Sequence, residues 1–498
     1  MAANPPVWAG PLAVDDPAAV EELRQVLIEA GFDGPTVREA LGAEGQMLAR
    51  PSDTPVLRRR LAGVEPLGTI ASLFVLGTPV ALADARRAFR PLPLEQMERM
   101  GLVALREGAA QARIRLVPHD DLWIVSDIPD AAEEHPDHVA GIHNPSVTLA
   151  HLTIRRPVAE ALDAGTGSGI QAILAARHCD RVVATDINER ALNFTWFNAL
   201  LNRAEGIELR AGSFFEAAAG ERFGLVTCNP PYVISPETAY LFRDSGLAGD
   251  TVSRKLVHDA PAMLVEGGFG SLLVSWIHTP GEDWSPALRT WVEGTGCDAI
   301  LLNYGTQDPL THASNWTRDR YVNDAEAFEA VLARWLDYLA GLGAESIGYG
   351  AVVLRRRESG QNWVRAYDLP PAGLRRSSEH LLRIFDAVDF LSGLADDGAV
   401  LDERFALTEH AGVEQRVSLR SGEWSIERIE MRLDDGLRFR ARVDPLIAHL
   451  LAGLDGERTL AEVTDGLAVA QGLDRSSLAE RAIPVAREMF ELGFLERR

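Results

Sequence analysis

Asp163-Ala164-Gly165-Thr166-Gly167-Ser168-Gly169 is followed by Arg181-Val182-Val183-Ala184-Thr185-Asp186, and then by Leu225-Val226-Thr227-Cys228-Asn229-Pro230-Pro231-Tyr232. These three stretches decide the fold. The short, β-branched, apolar runs read as strands buried on both faces, as in parallel sheets. A helix is predicted from Ile170 to Arg177 between the first two. Outward from there, strand and helix alternate between about residues 145 and 357, the pattern of an α/β domain with a mostly parallel sheet. Glycines in the first stretch let the chain turn tightly and approach a ligand where a Cβ would collide. Asp186 ends the next strand at its C-terminal tip, where open α/β sheets place their ligand crevice. Its carboxylate can accept hydrogen bonds from both hydroxyls of a ribose. On these two features alone, a dinucleotide site fits equally well.

The third stretch narrows the chemistry. Two consecutive prolines fix φ and stiffen the turn, so Asn229 is presented in one orientation. A carboxamide offers an acceptor oxygen and a donor NH₂ together. The Asn229 side chain and the Pro230 carbonyl can hold the two N–H groups of a flat NH₂ and favour its pyramidal form, with Tyr232 stacked on the planar group. No nucleophile and no metal is required. The plain alternative is a turn that only reverses the chain. The glycine-containing loop from Phe242 to Asp250 is expected to border the same pocket, with Asp244 as a candidate proton acceptor or a loop cap.

Taken together, Asp163 to Gly169, Asp186, Ala191-Leu192 with Asn198-Ala199, Ser213-Phe214-Phe215-Glu216 and Asn229 to Tyr232 resemble class I methyltransferases of the small-domain type. That group includes release-factor glutamine methyltransferases and ribosomal RNA guanine-N2 and adenine-N6 enzymes. The resemblance implies a Rossmann-like domain with a mostly parallel seven-stranded sheet, and S-adenosyl-L-methionine as cofactor. It implies that Asp163, Gly165 and Gly167, with Thr166 and Gly169 of the same loop, hold the methionine part. Asp186 and its neighbour Ile187 fall to the ribose, Ser213 and Phe214 to the adenine side, and Asn229, Pro230 and Tyr232 to the accepting nitrogen, with Asn229 also against the cofactor. Ser213 stands where the family commonly has Asp. His151-Leu152-Thr153-Ile154-Arg155-Arg156-Pro157 replaces the Pro-Arg-Pro-Glu-Thr-Glu run of the release-factor enzymes. The implied acceptor is a glutamine amide of a protein. An exocyclic amine of an rRNA or tRNA base is the second reading, and a cofactor-binding scaffold without transfer the third.

Three domains are expected: 1–126, 127–360 and 361–498. In the first, Asp16-Pro17 opens a helix that Gly31 closes, by N-cap and N1-proline chemistry. Helical spacing continues through Ile70–Leu76, Leu82–Phe89 and Leu94–Met100. Period-two runs at 102–105, 112–116 and 122–125 then complete a winged-helix-like module for recognising a macromolecular substrate. Residues 127–144 read as a linker or lid, whose His135, His138 and His143 are surface histidines rather than metal ligands. An insertion holding His312, Asn315 and Trp316, with a helix from Ala325 to Leu342, could shape substrate choice. Arg355-Arg356-Arg357 reads as a solvated strand end or a phosphate contact. In the last domain, Glu427–Val443 alternates like a hairpin, Thr459-Leu460-Ala461-Glu462 is a capping box, and Gly493 suits an αL cap. The runs Leu454–Leu460 and Glu491–Leu495 resemble small winged-helix peptide-binding proteins of modified-peptide biosynthesis.

Composition supplies the bounds. The 498 residues exceed one ordinary core. A net charge of -23 weighs against a nucleic-acid partner, whose grip is electrostatic, and favours a protein acceptor. No run approaches the ~20 apolar residues of a bilayer span. The N-terminus lacks a signal-peptide pattern, and three scattered cysteines fit a reducing cytoplasm.

Overall fold

The computed structural model describes residues 8–42, 53–129, 136–321, 324–358, 361–370, 373–420 and 422–498. His135 lies outside the described residues. Packing divides the chain into two units. The first runs to Ala366 apart from two short excursions, His151–Ile154 and Leu302–Gly305, and the second combines those with Tyr367–Arg498.

The core of the first unit is an eight-stranded sheet: β1 (Val158–Ala164), β2 (Cys179–Asp186), β3 (Ile207–Ala211), β4 (Phe223–Cys228), β5 (Leu264–His278), β6 (Cys297–Gln307), β7 (Ser346–Arg356) and β8 (Val364–Asp368). Their spatial order is β8-β6-β7-β5-β4-β1-β2-β3. Strands β1 to β5 pair in parallel, while β7 runs antiparallel against β5, from Phe269↔Arg355 to His278↔Ser346. The seven expected strands become eight because β8 adds itself beside β6 at the edge. Its half-exposed residues carry no apolar run that would mark a strand in sequence. The chain winds outward from β1 to β3 and then restarts at β4 on the other side of β1. That reversal opens a crevice above the C-terminal ends of β1 and β4.

Helices α1 (Asn144–Leu152), α2 (Ile170–Ala175), α3 (Glu189–Leu201), α4 (Thr251–Asp259), α5 (Ser285–Val292), α6 (Pro309–Thr317) and α7 (Ala325–Gly341) accompany these strands. Helix α3 is buried on nearly every side because the N-terminal region packs on it. Phe194, Phe197 and Leu201 join the core formed by Leu23, Leu27 and Phe89. Two asparagines of α3 and its C-cap Asn202 imitate sheet pairing. Asn193 accepts from Leu12 N and donates to Leu12 O, Asn198 does the same for Val125, and Asn202 for Trp123. Each satisfies a buried backbone pair that would otherwise lose its water partners uncompensated.

Among its described residues the N-terminal region has six helices, from Pro17–Glu29 to Leu94–Arg99, followed by two hairpins. Asp16 accepts from Ala19 N as the N-cap, and Gly31 sits at φ 62°. The run at 112–116 is not one strand. It breaks between Ala109–Ala112 and Arg115–His119, which pair with different partners. The arginines at the end of β7 are half-buried and engaged by protein groups. Arg355 and Arg357 reach the buried Asp298 carboxylate at 2.7 and 2.9 Å, and Arg356 donates to Thr295 O at 2.6 Å.

In the second unit, helices Ser378–Gly393, Leu460–Gln471 and Arg475–Glu491 accompany a small sheet, of order Asp455–Thr459, Arg404–Leu407, Leu495–Arg497. The capping box forms in both directions between Thr459 and Glu462. The predicted hairpin begins earlier than its alternation indicated, with Ala411–Arg420 pairing Glu423–Leu433.

Candidate active site

Around the crevice each strand ends in a polar group. Asp163 lies in β1, Asp186 closes β2, and Asn229 follows β4. These three line one cavity of about 260 Å³ together with Gly165, Thr166, Gly167, Ile187, Ser213 and Phe214. The structure therefore brings together residues the sequence scatters over sixty-odd positions. Gly169, Pro230 and Tyr232 are not among the lining. Gly169 caps α2 at φ 85°, packed on Thr195. Pro230 is buried under the turn, and its carbonyl takes the Tyr232 N–H at 2.8 Å. The Tyr232 ring does not stack over the cavity. It is buried edge-on to Tyr349, with centroids 6.4 Å apart, because the Ser275 hydroxyl holds its carbonyl and a bridge to Asp244 draws the strand inward.

The glycine loop is fastened from behind, leaving its front open. Gly165 and Thr166 donate to Thr185 O at 2.9 Å. Asp186 accepts from Gly167 N and Asn188 N, both at 2.9 Å. The Gly167 and Ser168 carbonyls are held by Thr195 Oγ1 and Asn198 Nδ2 at 3.0 and 2.8 Å. An added Cβ on Gly167, at φ 57°, would meet nothing within 4 Å and would face open space beside the cavity.

Electrostatically the cavity is acidic and uncompensated. Asp163 is buried, accepting from Thr227 Oγ1 at 2.9 Å and from Thr166 Oγ1 at 2.8 Å. Burial nevertheless pushes its carboxyl up to about 6. Burial also raises Asp186, against the backbone N–H groups that favour its charged form. Among the described residues, no lysine or arginine lines the cavity. Two carboxylates with no cation facing them suit a positively charged small molecule.

The wall opposite comes from two segments. His138, Val139, His143 and Ser146 belong to the predicted lid, and Leu241, Phe242, Asp244, Ser245 and Leu247 to the predicted bordering loop. Neither histidine is a surface group. His138 is buried beside Asp127, and His143 Nδ1 lies 2.7 Å from Ser146 Oγ with its basicity lowered by burial. Sequence gave no sign of this beyond the Gly141–Pro145 punctuation. Among the described residues, no group of three or more His, Cys, Asp or Glu could hold a metal. Asp244 is fully employed: Ser235 Oγ, Tyr240 N and two Arg243 nitrogens donate to its carboxylate. That arrangement makes it a loop anchor. The Asn229 carboxamide, half-buried at the cavity wall, makes no hydrogen bond to any described residue.

Residues 145–282 match the family described as methyltransferase small domain. Residues 29–113 and 382–497 match two families described as domains of unknown function, DUF7059 and DUF7782. Among curated proteins, a release factor glutamine methyltransferase of Xylella fastidiosa (strain Temecula1) is 34% identical over 169 residues, 30% of this chain and 56% of that protein. A ribosomal protein uL3 glutamine methyltransferase from the same strain is 35% identical over 125 residues, 23% of this chain and 40% of that one. The release factor glutamine methyltransferase of Escherichia coli (strain K12) is 32% identical over 130 residues, 23% of this chain and 46% of its own. The chain spans about half the length of the curated relatives it matches.

Proposed function

We propose that this chain, whose centre is a methyltransferase small domain using S-adenosyl-L-methionine, methylates a planar nitrogen, namely a glutamine side-chain amide of a protein. When bound, the cofactor supplies an electrophilic methyl group on a sulfonium. Asp163 and Asp186 supply the negative field for its ammonium and sulfonium charges, and Asp186 keeps lone pairs for ribose hydroxyls. The open face of Gly165 and Gly167 would take its methionine part, and Ile187, Ser213 and Phe214 would flank its nucleoside part. Asn229 Oδ1 accepts one N–H of the incoming amide, and the second lone pair of the Pro230 carbonyl is available to the other. Holding both N–H groups would favour the pyramidal nitrogen and stabilise the charge that grows there as the N–C bond forms and the sulfonium C–S bond breaks, after which one N–H proton passes to solvent. Alignment does the rest.

The observation that carries this reading is the unengaged Asn229 carboxamide beside two uncompensated carboxylates. A protein acceptor is favoured by the rim. Ile187, Leu241, Phe242 and Leu247 are 65%, 46%, 39% and 44% exposed and all border the cavity. Apolar groups suit a protein side, whereas a phosphate backbone calls for Arg or Lys. The helix-then-hairpin order of the N-terminal region suits a winged-helix-like module that presents the acceptor. The three free cysteines suit the cytoplasm.

Labelled methyl transfer into an extract of cells lacking this chain tests the proposal: counts should vanish after protease and survive nuclease. Nuclease sensitivity would favour the RNA-base reading, and no counts the scaffold. Asn229→Ala should weaken cofactor binding far less than transfer, which should fall by on the order of 10²- to 10³-fold. Full transfer by that variant would refute the role given to Asn229.

A further inference from the structure

The insertion between β6 and β7 does more than decorate the surface. His312, on α6, is fully buried with both ring nitrogens engaged. Its Nε2 lies 2.8 Å from the carbonyl of Ile234, two residues beyond the Asn229–Tyr232 turn. Its Nδ1 bonds the Tyr349 hydroxyl, and Trp316 Nε1 donates to that same hydroxyl at 3.0 Å. The direction of this chain is dictated at both ends. An indole N–H can only donate, and a backbone carbonyl can only accept. Burial lowers the imidazole to about 4, so near neutrality it carries a single ring proton. The Ile234 carbonyl places that proton on Nε2, and Tyr349 donates its own to Nδ1, which fixes one tautomer. Tyr349 in turn presents its ring to that of Tyr232, 6.4 Å away at 72°. Val233 packs with Ala313, Val331 and Trp335 of α6 and α7. Consecutive residues leaving the turn are thus held by side chain, ring or backbone contacts from the insertion and from β7.

We propose that His312, with Tyr349 and Trp316, is a positioning group that locks the exit of the Asn229–Tyr232 turn and thereby aims the Asn229 carboxamide into the cavity. This rests on the methyl-transfer reading only for its effect on rate; the locking itself is independent of it. His312 touches neither cofactor cavity nor acceptor, so its contribution is geometric. A turn stiffened by two prolines still needs a fixed end, and a small misplacement of an aligning group can lose about a hundredfold in rate.

The test uses the full chain with His312→Ala, His312→Gln, His312→Asn and the milder Tyr349→Phe. Amide hydrogen exchange is read over residues 229–236, beside S-adenosylmethionine affinity and labelled-methyl transfer at saturating S-adenosylmethionine. In His312→Ala, exchange over this segment should rise roughly tenfold, while cofactor affinity stays within about twofold and transfer falls on the order of 10- to 100-fold. His312→Gln, whose amide can still donate to the Ile234 carbonyl, should recover much of both, and His312→Asn should not. Tyr349→Phe should fall between. Unchanged exchange over 229–236 in His312→Ala would overturn the proposal. So would loss of cofactor affinity in step with transfer across all four variants, which is what a merely structural role produces. If wild-type chain transfers no label, the methyl-transfer reading fails, and the exchange arm alone decides the locking.

Discussion

Asp163 shows how a single buried group can be legible in sequence as a ligand contact yet owe its behaviour to packing. Its position before the glycine loop marks it, but only the fold reveals that Thr166, Thr227 and the Ala172 N–H all donate to it. Even so, its carboxyl is raised from 3.8 to about 6, because burial outweighs those bonds. The sign follows directly. Between those two values the folded chain holds a proton that the unfolded chain has lost, so stability declines as pH rises through this window. At 1.36 kcal/mol per pH unit, the penalty near neutrality is about 3 kcal/mol. Asp163→Asn should therefore raise the unfolding temperature of the cofactor-free chain at pH 8 but not at pH 4. Cofactor affinity should drop in that variant, and in the wild type should weaken as pH falls below about 6. Calorimetric titrations and melts at both ends of this range check each part. A variant destabilised equally at pH 4 and 8 would contradict the assignment. Gly167 and Gly169 make the complementary point. Sequence treats them alike, but a Cβ at 167 would meet only open space beside the cavity, while one at 169 would strike Thr195 Cγ2 at 2.8 Å.

Between elements, buried polar side chains do the joining. Asn198 ties α3 to Val125 and to the Ser168 carbonyl of the glycine loop, so docking of the N-terminal region and the shape of the loop share one residue. In the second unit, His380 has the equivalent place. Its Nδ1 accepts from Leu437 N at 3.1 Å, its Nε2 donates to Leu492 O at 2.9 Å, and Gly436 and Gly493 press on the ring so closely that no Cβ would fit. Gly493 was readable as a cap; its contact with an imidazole over a hundred positions away was not. Burial lowers His380 from 6.5 to about 4. In that interval the unfolded chain takes up a proton that the folded one refuses, so stability of this unit is lost as pH drops from about 6.5 toward 4. Urea unfolding followed by exchange in residues 378–497 should show that slope, and His380→Leu should flatten it. An unchanged slope in the variant would place the titrating group elsewhere.

For the molecule as a whole, every described residue bordering the cavity belongs to the first unit. Cofactor at a hundred times its dissociation constant should stabilise that unit by about 2.7 kcal/mol. Exchange protection is expected from His138 to Val252, with little across 378–497. Equal protection of both units would show that the site is not confined as described. No described helix is long and apolar enough to cross a membrane, and the charge of -23 is consistent with a cavity lined by no described lysine or arginine. By itself the sequence determined the α/β class, the glycine loop, the acidic strand tip and the Asn-Pro-Pro-Tyr turn. Those depend on local backbone demands and on periodicity, which neighbouring residues report. Only the tertiary structure decided the eighth strand, the buried Tyr232, the histidines of the cavity wall and the His312 clamp. Each of these depends on which distant side chain arrives to satisfy a donor, an acceptor or a face, and linear spacing carries no record of that meeting.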